Sequence, residues 1–145
     1  MKEPLLISAC LCGKNVRYDQ KNKRHPFLER LSETYRLIPF CPEVAGGLSI
    51  PRKPAEINGP FVYNIDGIDV TANYEKGARL ALELCRKYRI GRALLKENSP
   101  ACGSHCIYDG TFTNTLQKGT GRTAAVLIKA GIAVYSEEEW RHLIK

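Results

Sequence analysis

The sequence predicts one three-layer α/β domain spanning residues 1–145, with a mainly parallel, Rossmann-like sheet of about four strands. Short apolar runs alternate along the chain with stretches of helical periodicity, which favours parallel strands covered by helices on both faces. Two Asp-Gly pairs flanked by β-forming residues predict two hairpins outside that sheet. The chain of 145 residues is 43% hydrophobic, which suits a single core of ordinary size.

The predicted strands are short apolar runs bounded by turn-forming residues. They are residues 4–10 (PLLISAC), 36–41 (RLIPFC), 92–97 (RALLKE) and 132–136 (IAVYS). Pro39 weakens the second of these predictions, because proline has no N–H to donate to a neighbouring strand. The first two runs end in cysteine, so thiols are expected where these strands leave the sheet.

The two predicted hairpins lie on either side of the third strand. The first covers residues 61–71 (FVYNIDGIDVT) and turns at Asp66-Gly67. The second lies in residues 107–113 (IYDGTFT) and turns at Asp109-Gly110. Both pairs suit the positive φ angles of tight turns, so each hairpin is expected to project from the sheet.

Three helices are predicted from apolar periodicity and capping residues. The longest covers residues 72–89 with Thr71 as its N-cap, and its apolar stripe includes Cys85. A second covers residues 123–129, and a C-terminal helix follows Ser136, which is its expected cap. Cys85 is therefore expected to be a buried core residue and not a ligand.

The charge balance of the chain is basic. Lysine and arginine outnumber aspartate and glutamate by 22 to 15, which gives a formal net charge of +7 and a pI near 9.2. This favours anionic partners such as phosphates, with nucleic acid as a secondary expectation because aromatic residues do not interleave the basic ones. No apolar run reaches the ~20 residues of a membrane span, and no signal-peptide segment is recognised, so a cytoplasmic protein is expected.

Six cysteines are many for a reducing compartment, where clustered thiols more often bind metal or do chemistry than form disulfides. Parallel strands have their carboxyl ends at one edge of a sheet, and sites gather there. Cys10 and Cys41 end two strands and Cys102 lies in the loop after a third, so these three thiols are expected to converge. Such a set suits an iron–sulfur cluster with one iron left without a protein ligand.

The remaining thiols leave the ligand set open. Cys12 and Cys106 could join Cys10 and Cys102 in a zinc site, although the chain has no C-x-x-C pair. Either could also supply a fourth thiolate to a cluster, and His105 is a weaker candidate. The alternative to an enzyme is therefore a noncatalytic zinc- or cluster-bearing module that binds RNA through its basic surface.

Short motifs surround the cysteines and continue to the C-terminal region. They are SAC at 8–10, RYD at 17–19, CPEVAGGLSIPR at 41–52, KENSPACG at 96–103, YDGTF at 108–112 and the later GTGRTAAVLIKAGIAVYSEEE. Together and in this order they resemble the thiouracil desulfidase family, formerly a domain of unknown function. The resemblance covers nearly the whole chain.

This resemblance implies a cofactor and a set of site residues. In that family three cysteines bind a 4Fe-4S cluster, and the matching positions are Cys10, Cys41 and Cys102. The iron without a protein ligand takes the sulfur of a thiolated pyrimidine. A glutamate and a serine assist hydrolysis, and by motif they fall on Glu43 and Ser99.

The functional hypothesis is an iron–sulfur enzyme that removes sulfur from thiouracil or a related thiopyrimidine nucleotide. The expected reaction is non-redox hydrolysis of the C–S bond, with release of sulfide.

A separate feature concerns anions: the Gly119-Thr120-Gly121 turn precedes a predicted helix, and Arg122 adds charge beside it. Free amides at a helix N-terminus can hold phosphate, so this turn is a candidate phosphate site. The alternative is a purely structural turn, since glycine-rich turns before helices are common.

Overall fold

The computed structural model describes residues 1–144 as alternating strands and helices. In chain order these are β1 (Glu3–Ser8), α1 (Leu28–Thr34), β2 (Tyr35–Phe40), α2 (Pro42–Ala45), β3 (Ala55–Asn58), β4 (Phe61–Asn64), α3 (Thr71–Tyr88), β5 (Arg92–Leu95), β6 (Cys106–Tyr108), β7 (Leu116–Lys118), α4 (Arg122–Lys129) and β8 (Ala133–Ser136). Two 3₁₀ helices, at Ala9–Cys12 and Glu137–His142, follow β1 and β8.

The central sheet is parallel and has the strand order β2-β1-β5-β8. All four predicted strands are therefore confirmed. Pro39 is tolerated because β2 lies at the edge of the sheet, where only one side of the strand must pair. The chain leaves β1 towards β2 on one side and later returns to β5 on the other. Their carboxyl ends therefore flank the point at which the strand order reverses, which is where open α/β sheets place their sites.

Both faces of the sheet are covered, which confirms the three-layer prediction. Leu5 and Ile7 of β1 pack in one buried cluster with residues of α1 and with Trp140 of the C-terminal 3₁₀ helix. Leu6, between them, faces the opposite cluster, which contains Cys85 of α3 and residues of α4. Side chains alternate across a strand, so two apolar faces require a nearly continuous apolar run such as PLLIS.

Cys85 is 1% exposed in that second cluster, as predicted for a core residue. Burial raises the pKa of its thiol to about 11.

Within residues 1–144, every helix is too short or too polar to cross a membrane.

Two antiparallel strand pairs lie outside the sheet, but the first pairs differently from the prediction. β4 pairs with β3, a strand the sequence analysis missed, across the Gly59-Pro60 turn. Asp66-Gly67 does form a turn, and a single antiparallel bridge joins Tyr63 to Asp69 beyond it. No second strand forms there because the chain enters α3 almost at once. The second pair, β6 and β7, encloses Asp109-Gly110 in a longer connection than a tight hairpin.

The ends of two helices also differ from the predictions. α3 begins at Thr71 instead of being capped by it, because the Thr71 hydroxyl accepts the N–H of Val62 in β4 at 2.8 Å. The backbone N–H of Thr71 is bonded to the Asp69 carboxylate at 2.8 Å. After β8, Ser136 caps the chain as predicted, in a capping box with Glu139, but the helix that follows is 3₁₀.

Candidate active site

One cavity of about 370 Å³ lies at the carboxyl ends of β1, β2 and β5, and Cys10, Cys41 and Cys102 all line it. Cys10 lies in the 3₁₀ helix after β1, and Cys41 is the N-cap of α2 directly after β2. Cys102 lies in the loop that leaves β5. The three thiols that the sequence analysis singled out therefore share one cavity. Glu43 and Ser99 line it as well.

The pKa values of all three thiols are raised, mainly by burial. Burial raises the pKa of Cys10 to about 11, and the Cys41 thiolate adds to this. Burial also raises the pKa of Cys41 and of Cys102, and both other thiolates act on Cys102. The two buried thiols and the half-buried Cys41 therefore resist ionisation in the protein alone, whereas a bound metal would stabilise all three as thiolates.

Cys12 and Cys106 do not line this cavity. Cys12 packs against the core cluster on the α1 side of the sheet, and Cys106 begins β6. The structure therefore does not bring Cys10, Cys12, Cys102 and Cys106 together as a zinc site would require. Among residues 1–144, no three His, Cys, Asp or Glu side chains are arranged to hold one metal ion. His105 points away from the cavity and contacts Glu139, with Nε2 and Oε1 2.8 Å apart.

The loop that carries Cys102 is bonded to the N-terminus of α4. The N–H groups of Gly121 and Arg122 donate to the carbonyls of Gly103 at 2.7 Å and Pro100 at 2.9 Å, and the next two N–H groups of α4 bond Ala101. These amides were predicted to hold phosphate, and that prediction is wrong because the cysteine loop already occupies them. The glycines of this turn serve close packing, and a Cβ on Gly121 would overlap the backbone of Ala101.

The Ser99 side chain stabilises the same loop by hydrogen bonds to its backbone. Its hydroxyl oxygen accepts the N–H groups of Ala101 and Cys102, each at 3.0 Å. Bonds of this kind fix a turn, which gives Ser99 a structural role next to a ligand candidate. The hydroxyl hydrogen is not used by these two bonds, so the side chain can still donate into the cavity that it lines.

Glu97 anchors the far half of this loop. Its Oε1 accepts the N–H groups of four residues, at 2.8 to 3.3 Å: Asn98, Ser104, His105 and Cys106. Burial of the side chain raises its pKa, but the four N–H donors outweigh burial and leave the pKa below its ordinary value. The loop is thus fixed by a carboxylate on one side and a helix N-terminus on the other.

Glu43 is held by a buried cation. Arg52 donates from Nε to Glu43 Oε1 at 2.9 Å, and the two side chains are only 8% and 15% exposed. Arg52 also donates to the carbonyls of Val16 and Ser49, which fixes the guanidinium itself. Tyr74 of α3 lines the same cavity, and burial, together with the nearby Glu43 carboxylate, raises the pKa of Tyr74 far above its usual range. The orientation of the Glu43 carboxylate is therefore set by Arg52, in the loop after α2.

A second ion pair borders the cavity beside Cys10. Lys96 Nζ lies 2.9 Å from Glu137 Oε2, and the other oxygen of Glu137 accepts the Glu97 N–H at 2.8 Å. The Lys96 backbone N–H donates to Ser8 Oγ at 2.9 Å. Arg52, Lys96 and Glu97 lie in quoted motifs but received no predicted role. Val16 and Glu137, which Arg52 and Lys96 contact, are distant along the chain, and the turn that brings four N–H groups to Glu97 has no recognisable sequence pattern.

The family model of 2-thiouracil desulfurases matches residues 5–139, which include every cavity residue described above. The chain belongs to the 2-thiouracil desulfurase family. Its sequence is 37% identical over 150 aligned positions to the uncharacterized protein YbbK of Bacillus subtilis (strain 168), covering 97% of this chain and 99% of that one. The solved structure of the 4Fe-4S-dependent thiouracil desulfidase TudS is similar with a TM-score of 0.93 and 48% identity, covering 98% of this chain and 95% of that one.

Replacing Gly121 with alanine is expected to destabilise this family member by about 1–3 kcal/mol, the usual cost of overpacking. The added methyl would press on the backbone of Ala101 and on the Cys102 nitrogen, 2.8 Å from an ideal Cβ. Gly91→Ala is the matched control, because nothing lies within 4 Å of a Cβ there. Urea unfolding checks both, and equal stability of the two variants would contradict the close packing of α4 on the cysteine loop.

Glu97 is expected to make stability depend on acid pH. Its pKa in the folded protein lies below the ordinary 4.5, so its contribution is present above about pH 4.5 and is lost as pH falls through the folded value. Wild type should exceed Glu97→Gln in unfolding free energy by about 1–3 kcal/mol at neutral pH, the worth of bonds to a charged group. The difference should vanish in acid. A difference that persists unchanged at low pH would refute the role of the charge.

Proposed function

We propose that the protein removes sulfur from thiouracil or a related thiopyrimidine nucleotide by hydrolysis at an iron–sulfur centre. The observation that carries this proposal is the convergence of Cys10, Cys41 and Cys102 on a cavity that Glu43 and Ser99 also line. Membership in the 2-thiouracil desulfurase family supports it, as does the similarity to TudS, which is named a 4Fe-4S-dependent thiouracil desulfidase.

The donor set suits such a cluster. Three soft thiol ligands from separate loops favour iron–sulfur binding, and the cavity between them measures about 370 Å³. Cys10, Cys41 and Cys102 would hold three irons, which leaves one without a protein ligand because Cys12 and Cys106 lie outside the cavity lining. Such a cluster would supply a Lewis acid for the thiocarbonyl sulfur of the substrate when bound by these three residues.

Glu43 is the proposed proton acceptor for the attacking water. A carboxylate within hydrogen-bond reach of water can remove its proton as the new bond forms. Arg52 holds the carboxylate through a largely buried ion pair, so its orientation does not have to be established during the reaction. Ser99 is the proposed donor that orients this water or the ring, through the hydroxyl hydrogen that its loop bonds leave available.

The reaction balances without an external electron donor. The water oxygen forms a bond to the ring carbon that bears sulfur, and Glu43 receives one water proton. The C–S bond then breaks as the remaining hydroxyl proton passes to sulfur, so sulfur leaves as hydrosulfide and the ring carbon keeps the oxygen as a carbonyl. Glu43 afterwards returns its proton to solvent. Exchange of sulfur for oxygen leaves the oxidation level of the ring carbon unchanged.

Anaerobic assays test this function. Protein reconstituted with iron and sulfide should convert thiouracil or thiouridine monophosphate to the oxygenated product, with one sulfide released per product and no added reductant. Heat-denatured protein carrying the same iron and sulfide is the control for uncatalysed loss. Fully loaded wild type that turns over neither substrate would overturn the proposal.

A further inference from the structure

Glu56 is another carboxylate that lines the cavity, and one of its oxygens has no hydrogen-bond partner among residues 1–144. Glu56 of β3 is 9% exposed and lines the cavity together with Asn114 and Tyr108. Its Oε1 accepts the N–H groups of Gly110 at 2.9 Å and Phe112 at 3.1 Å, which fixes the connection between β6 and β7. Residues 1–144 provide no cation within salt-bridge distance of Glu56.

The other oxygen, Oε2, remains accessible on a residue that lines the cavity. Within the described chain no hydrogen bond reaches Glu56 Oε2. The one side-chain oxygen or nitrogen there that is fully buried and lacks a hydrogen-bond partner is Thr123 Oγ1. Glu56 Oε2 is therefore not sealed inside the protein. A largely buried carboxylate is costly unless hydrogen-bond donors surround it, so an occupant of the cavity that brings a donor is favoured.

We propose that Glu56 Oε2 binds the substrate by accepting a hydrogen bond from a neutral N–H or O–H group, and thereby selects thiopyrimidines that carry this donor. This inference rests on the proposed function and adds a specificity residue to it. A free thiopyrimidine offers ring N–H groups, and a nucleoside offers a ring N–H and ribose hydroxyls. A site built around such a bond rejects analogues without the donor, because the protein acceptor is then left unpaired.

Glu56→Gln isolates the second oxygen. The glutamine side-chain oxygen can still accept the N–H groups of Gly110 and Phe112, while its NH₂ group replaces an acceptor by a donor at the Oε2 position. Thr111→Ala is the matched control for the loop. It removes the hydroxyl that contacts Asp109 Oδ1 at 2.6 Å and leaves Glu56 in place. A loop effect would therefore appear in both variants, whereas loss of the acceptor would appear only in Glu56→Gln.

The test measures binding of uracil and uridine, the unreactive oxygen analogues, to anaerobically reconstituted protein by calorimetry. Glu56→Gln should weaken binding on the order of 10- to 100-fold, as expected for loss of one bond to a charged group, while Thr111→Ala binds like wild type. Weakening with both ligands identifies a ring N–H as the donor, and weakening with uridine alone identifies a ribose hydroxyl.

Three results would overturn the inference: unchanged affinity in Glu56→Gln, equal weakening in Thr111→Ala, or no binding of either ligand by wild type. The readout is separate from turnover. Wild type that binds uracil through Glu56 but releases no sulfide from thiouracil would overturn the proposed function alone. If wild type is active and Glu56→Gln binds uracil and uridine with unchanged affinity, this inference alone is overturned. Thermal unfolding of each variant shows whether it is folded, and a Glu56→Asp variant, which keeps the charge, replaces Glu56→Gln if that chain does not fold.

Discussion

Cys102→Ala is expected to reduce bound iron from about four per chain to background after anaerobic reconstitution, and to abolish desulfuration. Cys102 is 5% exposed, and its loop is fixed by Ser99, Glu97 and the N-terminus of α4, so a neighbouring thiol cannot take its place without breaking these bonds. Cys41→Ala and Cys10→Ala should behave alike. Iron and acid-labile sulfide analysis measures the effect.

Cys85→Ala is the control for this prediction. It removes a cysteine of similar burial that lies in the core, away from the cavity, so the variant should lose some stability and keep its iron. Full iron retention in Cys102→Ala or Cys41→Ala would remove that residue from the ligand set. Retention in all three cavity variants would exclude a three-cysteine centre.

Glu43→Gln is expected to lower kcat by roughly 10²- to 10⁴-fold while iron content stays at the wild-type level. The amide keeps the size of the side chain and can still accept from Arg52, but it cannot take a proton from water. Steady-state kinetics with thiouracil, normalised to iron per chain, measures this effect.

Arg52→Lys separates orientation of Glu43 from its chemistry. Lysine keeps the positive charge but cannot hold the Glu43 carboxylate and the Val16 carbonyl in the fixed geometry of a guanidinium. An intermediate loss of kcat is therefore expected.

Wild-type rates in Glu43→Gln and Ser99→Ala, together with loss of activity in Cys102→Ala, would leave the metal role standing and remove both acid–base assignments.

The fold could be predicted where a single sequence pattern, such as an apolar run, determines the element. A strand buried on both faces needs a continuous apolar run, as β1 and β5 show, and the half-buried edge strands β2 and β8 are also mainly apolar. β3 was missed because Glu56 interrupts a stretch of four residues, and its pairing with β4 follows from tertiary contacts. Thr71 was taken for a cap because the sequence does not show that its hydroxyl is used by Val62.

The site was predictable for the cysteines and not for the groups that support them. Cys10, Cys41 and Cys102 converge because parallel strands end at one edge, a rule that needs only the strand positions. The Arg52 bond to Val16 joins segments 36 residues apart, and the bonds of Glu97 depend on the exact turn of its own loop, so neither is visible in the sequence. The predicted phosphate site failed for the same reason, since a distant loop occupies the amides of α4.

The most direct test of hydrolytic desulfuration by this chain is the origin of the oxygen in its product. Reconstituted wild type would be given thiouracil anaerobically in isotopically labelled water, without reductant, and the product analysed by mass spectrometry together with released sulfide. The account predicts uracil that carries the label from water, with sulfide formed in equal amount. Absence of sulfide, unlabelled uracil, or turnover that begins only when an electron donor is added would contradict it.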